Sequence, residues 1–332
     1  MRRAPEMTAA TLASLPHRRR APTMLIVLAI AVVFAALPLL FGDYEIYTVA
    51  QVMIYAVAVL GLDIVYGRTG QLSLAHASFF GLGAYTAALS PTFHIAVWLQ
   101  PPLVVLVAII AGAVVAVPTL RLSGLRLSLV TLLFGELFNW AIDHSVALTG
   151  GSQGMTVEPL EFGGFGTQDP LAAYLVAGGL SLIATLLTIQ LGRSQYGRRM
   201  LSVRDSELAS ASIGVPIVTT KITAFMLSAV FAGVAGWVYA YVVGFVSPST
   251  FDLFASVYFM VAVILGGAGR VLGAWLGAAY IVLVPEVFNG VGYPNLFPIL
   301  GGGVLIAVAL LLPGGLAEGA ALVLARLRGS RA

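Results

Sequence analysis

No cysteine occurs among the 332 residues, lysine occurs once, and charged side chains make up only 9% of the chain. The absence of cysteine excludes disulfides, thiolate nucleophiles and cysteine-ligated metals. The single lysine, Lys221, stands outside any Gly-x-x-x-x-Gly-Lys-[Ser/Thr] loop, which excludes nucleotide binding of the P-loop kind. Histidine is scarce too: His17, His76, His94 and His144 are scattered without metal-ligand spacing. No motif supports an enzyme, no cofactor is expected in the chain, and a net charge of +3 gives no reason to expect nucleic acid as a partner.

Apolar sequence fills the space that charge leaves. Hydrophobic residues make up 59% of the chain, and the charged fraction is well below the roughly 25% of soluble domains. A helix crosses the hydrocarbon core with about 20 apolar residues. Ten runs approach that length: 24–41, 47–66, 71–89, 98–118, 127–142, 171–191, 218–243, 252–268, 271–288 and 296–313. Lipid leaves no open backbone group satisfied, and no alternating barrel pattern appears, so the expected fold is an all-α polytopic membrane bundle of about ten transmembrane helices. The first run, Met24 to Phe41, is read as a retained helix rather than a cleaved signal, because a long basic region precedes it. Residues 1–23 and 314–332 then form tails around a transmembrane domain at 24–313.

Charge supplies the orientation. With the N-terminus in the cytoplasm and ten spans threaded, all 17 basic residues fall inside. Outside lie Asp43, Glu45, Asp143, Glu158, Glu161, Asp169, Asp252 and Glu286. The reading is a multi-pass protein of a bacterial-type inner membrane, surrounded by lipid, with both termini cytoplasmic.

Two polar stretches interrupt the apolar runs. A glycine-rich, acidic loop at 143–170 is expected outside, and residues 193–217 inside. In the second stretch Ser202 or Asp205 can cap a short helix that runs from Arg204 to Ser212. Gly214 supplies a left-handed stop, and Pro216 prevents resumption.

Within the spans, Gln71, Ser73, His76, Ser78 and Tyr85 give the third run a polar stripe that suits either a translocation pathway or interhelical bonding. Asp63 and Glu136 read either as an ion relay or as internal partners, Asp63 then pairing with Arg68. Gly269, Gly273 and Gly277, like Ala77 and Gly81, recur at the four-residue spacing of close helix packing. A faint echo links "GRTG" and "GLGAY" (67–85) to "GGAGR" and "LGAAY" (266–280).

Four segments carry a resemblance to a known family. "YGRTGQLSLAHASFFGLGAYTAAL" (66–89), "LRLSLVTLLFGELF" with "LTGGSQGM", "RDSELASASIGVPIVTTKITAFMLSAVFAGVAG" (204–236) and "GFVSPSTFDLFASVYFMVAVILGGAGRVLGAWLGAA" (244–279) resemble the LivM-type permeases, the membrane subunits of branched-chain amino-acid ABC importers. The chain departs from the pattern at Ala75, where the family has glycine, and at Ala211, where an acidic residue is common.

The resemblance implies a permease paired with a second related permease and two ATPase subunits, which bind ATP and Mg. An external binding protein would deliver a branched-chain or other hydrophobic amino acid. It implies that Arg204, Asp205, Glu207, Leu208, Ala211 and Gly214 form an ATPase-coupling helix, with Glu207 the main acidic contact. Gln71, Ser73, His76, Tyr85 and Glu136 are the candidate pathway. In the outer loop, Thr149, Gly150, Gly151, Glu158 and Glu161 are the candidate docking residues for the binding protein. The alternatives are the same ABC mechanism for urea, short amides or aromatic acids, and an ion-coupled transporter working through Asp63 and Glu136.

Overall fold

The computed structural model describes residues 38, 41–119, 122, 124–162, 165–290, 303 and 314–319. By its contacts the chain divides after Gly42, and every element named below belongs to the unit that begins at Asp43. The expected spans 24–41 and 296–313 and most of both tails lie outside the described residues.

The elements are α1 (Asp43–Thr69), α2 (His76–Leu89), α3 (Gln100–Thr119), α4 (Leu125–His144), α5 (Pro170–Arg193), α6 (Gln195–Asp205), α7 (Glu207–Ser212), α8 (Ile217–Val243), α9 (Leu253–Gly266) and α10 (Val271–Gly290). Among the described residues seven helical segments are long and apolar enough to cross a membrane. The all-α membrane architecture stands, and seven of the ten expected runs form such segments among the described residues.

The third expected span, 71–89, needs correction. Its helix begins only at His76 and has 14 residues, about 21 Å of rise, too short for a hydrocarbon core of about 30 Å. The cause is local. Gly70 has φ +71, which ends α1 and turns the chain, and residues 70–75 run on outside any helix. Their backbone is satisfied elsewhere: Gln71 N–H donates to the Val65 carbonyl at 3.2 Å, and Leu74 N–H donates to Thr131 Oγ at 2.9 Å.

Helices α1 and α8 form the axis of the bundle. Helix α8 packs against α1, α2 and α3, while α1 also meets α5, α10 and α9. Small residues permit the closest approaches: a Cβ at Gly83 would fall on the Gly233 carbonyl, and one at Gly236 on the Phe80 carbonyl, so α2 and α8 touch backbone to backbone. Gly277 packs in the same way on the Ala262 carbonyl and joins α10 to α9. Gly269, read as part of that packing stripe, sits instead in the α9–α10 turn with φ +82.

The charge pattern maps onto the two ends of the bundle. At one end meet the C-termini of α1 and α5, the α9–α10 turn, α6 and α7. Arg68, Arg193, Arg198, Arg199, Arg204, Arg270 and Lys221 belong to this basic end. At the other end the loop after α4 is pinned to the end of α8 by a two-residue antiparallel pair, β1 (Met155–Thr156) with β4 (Phe245–Val246). A second small hairpin joins β2 (Glu161–Phe162) to β3 (Phe165–Gly166). Helix dipoles agree with this sorting in α1, which carries Asp43 and Glu45 in its first turn and Arg68 in its last.

Candidate coupling site and transport pathway

At the basic end, the short helix foreseen over 204–212 is two helices. Arg204 and Asp205 close α6, whose cap is Ser194, accepting from Gly197 N–H at 3.2 Å. Ser206 is extended (φ −165) and breaks the run, and its hydroxyl oxygen accepts from Ala209 N–H at 3.2 Å to start α7. The cap is therefore Ser206, not Ser202 or Asp205, because only Ser206 leaves helical geometry. Gly214, with φ +81, turns the chain toward α8.

Six residues cannot hold a helix by themselves in water, so α7 depends on its neighbours. Ser210 is buried and shares a 2.5 Å hydrogen bond with Ser202 of α6. Lys221 of α8 reaches Glu207 at 2.7 Å, the lysine side chain 6% exposed and the glutamate 49%. Glu207 therefore points back to its own bundle and is not a free acidic contact. Two large apolar side chains stand outward here: Leu208 on α7 is 84% exposed, and Ile213, just past its end, 75%. Asp205, Ala211 and Gly214 are exposed beside them.

Asp63 makes no hydrogen bond to Arg68, although the charge of that guanidinium acts on it. Its Oδ1 accepts from the Gly269 N–H at 2.6 Å, whereas Arg68 turns to the Thr188 carbonyl at 3.3 Å. Glu136 is exposed on α4, in an open recess with Asn139, Trp140, Asp143 and His144 near the acidic end. Asp63 thus sits at the basic end and Glu136 near the acidic one.

The candidate pathway residues are not gathered at one surface. His76 is buried, donating from Nε2 to the Ala58 carbonyl of α1 at 2.7 Å, with Nδ1 3.4 Å from the Ser228 hydroxyl of α8. Ser73 is buried and accepts from Ala75 N–H at 3.5 Å. These two serve the packing of the bundle. Gln71, Ser78 and Tyr85 differ: all are buried, and the Gln71 amide, the Ser78 hydroxyl and the Tyr85 hydroxyl find no hydrogen-bond partner. Ser78 and Tyr85 lie along the seam between α2 and α4, beside Gly135 and Phe138. Asn139 Oδ1, on the α4 side, is likewise unpaired.

The outer-loop residues divide. Thr149 is buried and donates to the Ile142 carbonyl at 2.6 Å, and Gly150 and Gly151 both take positive φ, so this triplet builds a turn. Glu158 and Glu161 are exposed and rim a shallow recess with Val97 and Pro159.

Sequence reasoning missed a cavity of about 470 Å³ between α1, α9 and α10, lined by Gln51, Tyr55, Tyr258, Phe259 and Glu286 among others. Tyr55 stacks there on Phe80 and Phe259 at 5.8 and 5.7 Å between ring centroids. No spacing rule joins these positions, which come from three distant helices. The Glu207–Lys221 pair had a visible clue in the one lysine of the chain, set in the first turns of a span.

The family described as "Branched-chain amino acid transport system / permease component" matches residues 44–309. The chain is 32% identical to the high-affinity branched-chain amino acid transport system permease protein LivM of Salmonella typhimurium, over 88% of this chain and 74% of that one. LivM of Escherichia coli K12 shows the same identity and coverage. BraD, a permease protein of the same description from Pseudomonas aeruginosa, is 24% identical over 79% of this chain and 91% of its own. No solved structure gives a significant match. A match across most of the described bundle, carried by a chain of apolar helices, places the protein in the branched-chain amino acid permease family of ABC importers.

Proposed function

We propose that this subunit carries a branched-chain or other hydrophobic amino acid across the inner membrane, paired with a second permease and driven by two ATPase subunits that grip α7. The cargo reading rests on the relatives, which are branched-chain amino acid permeases by name. The observation that carries the mechanism is α7 itself, a braced helix at the basic end with Leu208 and Ile213 turned outward. Two large apolar side chains on a polar surface mark a contact site rather than a solvated face. An external binding protein would meet the acidic end at Glu158 and Glu161, with Thr149, Gly150 and Gly151 shaping the loop from within.

The α2–α4 seam is the proposed pathway wall. Buried polar atoms without partners are costly in a fixed structure, and Ser78, Tyr85 and Asn139 concentrate them in one seam. Parting of α2 and α4 during alternating access would let water or solute satisfy them. Glu136 on the outer side of α4 would face the same route once the second permease is in place.

The test uses the assembled transporter in proteoliposomes. Leu208→Asp should abolish ATPase co-purification and leucine uptake while membrane insertion persists. Retention of both would reject α7 as the grip. Uptake that follows a proton gradient with ATP absent would reject the ABC reading, and competition by urea, amides or aromatic acids at the binding protein would redirect the cargo.

A further inference from the structure

Where α6 ends, its Arg204 reaches across the bundle to the C-terminus of α1, and its guanidinium Nη1 donates to the Gly67 carbonyl. Gly67 stands at a crossing. A Cβ there would collide with the Asp63 carboxylate and with the Gly269 backbone nitrogen, so only glycine permits the contact. From the other side, Gly269 donates its N–H to Asp63 Oδ1 at 2.6 Å. The Arg204 side chain lies over Gly70 and beside Gly269, at 3.3 and 3.4 Å from where their Cβ atoms would stand. Asp63 Oδ2 is buried with no hydrogen-bond partner, and the charges compensating the carboxylate are Arg68 and Arg204. The two halves of the sequence echo, "GRTG" and "GGAGR", thus meet at one point, and Arg204 holds them.

We propose that Arg204, Asp63, Gly67 and Gly269 form a latch that carries displacement of α7 into the helices around the aromatic cavity. The inference rests on the reading of α7 as the ATPase grip. Only Ser206 separates α6 from α7, so a shift of α7 is felt at once by Arg204. Through Arg204 it acts on the end of α1, and through Asp63 and Gly269 on the turn between α9 and α10. Those three helices line the Tyr55–Tyr258–Phe259 cavity. Arg204 is accordingly a positioning residue for transport, with no contact to solute required. A bistable element that both sites bias is what long-range coupling needs.

The experiment measures uptake and ATP hydrolysis together, in proteoliposomes holding both permeases and both ATPases. Arg204→Ala should keep the ATPase bound yet lower leucine uptake per ATP hydrolysed, by a factor of about 5 to 150 if the latch carries an ordinary coupling energy. Arg204→Lys should recover part of that ratio, since an ammonium can still donate to the Gly67 carbonyl. Asp63→Asn keeps the acceptor for Gly269 and removes the charge. Its loss should be smaller, and the double variant should be no worse than Arg204→Ala alone. An unchanged ratio in Arg204→Ala, or additive losses in the double variant, overturns the latch. Loss of ATPase binding by Arg204→Ala also overturns it, since Arg204 would then belong to the docking surface, whereas failure of the grip itself shows separately in Leu208→Asp. Should Arg204→Ala not accumulate in the membrane, Arg204→Gln takes its place under the same criteria.

Discussion

Glu207→Ala should weaken ATPase binding by unbracing α7 from its own bundle rather than by removing a contact to the ATPase. Lys221 is buried at the foot of α8, and Glu207 at 2.7 Å is its counter-ion. Exposed ion pairs contribute about 0–1 kcal/mol, and breaking a fully buried pair costs about 3–5 kcal/mol because one charge is left uncompensated. This pair lies between, one partner enclosed and the other half in water. The long lysine stem can also swing its head toward solvent. We take about 2 kcal/mol as the cost, midway between those limits. If it falls entirely on the ordered position of α7, it weakens docking by about 30-fold.

Lys221→Met inverts the logic. It removes the buried charge and leaves Glu207 half-exposed, where water can solvate it. Its loss should be smaller than that of Glu207→Ala, and Glu207→Ala combined with Lys221→Met should bind better than Glu207→Ala alone. The assay is titration of purified ATPase onto the permease pair in nanodiscs, reading Kd for each variant. A double variant weaker than both singles would refute the stranded-charge argument and return Glu207 to the role of a direct ATPase contact.

Three further outcomes follow from local geometry. A Cβ at Gly214 meets no atom within 4 Å, so the penalty of Gly214→Val is chiefly backbone strain, about 1–2 kcal/mol at φ +81; ATPase co-purification should fall, and fall less for Gly214→Asn. Single cysteines at Ser152 and Ser212, both exposed in this cysteine-free chain, should label from opposite sides with an impermeant thiol reagent, and labelling from one side would overturn the topology. Tyr85→Phe deletes a buried hydroxyl without a partner, so thermal unfolding should occur no lower than in the parent, while uptake falls if the α2–α4 seam hydrates during the cycle.

Much of the bundle was legible because hydropathy is additive: a run of apolar residues announces a span whatever its neighbours do. The same property concealed the break before α2. Residues 70–75 lie against the apolar run that follows and were counted with it, and the positive φ at Gly70 and the hydrogen bond from Leu74 to Thr131, 57 residues away, show that they are not helical. Charge sorting was legible for a similar reason, since it depends on where residues fall between spans and not on what they touch. The identity of each partner was not. Asp63 was paired with Arg68 by nearness in sequence, yet its hydrogen bond goes to a backbone group 206 positions on.

The helix at the basic end shows how a correct local reading can still assign the wrong contact. Gly214 and Pro216 mark the end of α7 in any context, because a left-handed residue and a missing N–H stop helices by covalent geometry alone. The start depended on which of Ser202, Asp205 and Ser206 leaves helical angles, and all three have side chains able to cap. Tertiary packing chose Ser206, since α6 must first lie against α1, α5 and α8 before the chain can turn. Once α6 is held there, Arg204 has no course but across the end of α1, where glycine at 67 leaves the carbonyl open. An insertion tests that dependence. One alanine placed between Asp205 and Ser206 preserves Arg204, the latch glycines and every residue of α7, but rotates α7 relative to α6 by about 100° if the helix extends through it. Leu208 and Ile213 would then point away from their present direction, and Glu207 would lose Lys221. ATPase binding should disappear while the permease pair still assembles in the membrane. Binding that survives the insertion would show that α7 docks as a flexible tether, and that its fixed bracing by Lys221 and Ser202 serves only the permease's own fold.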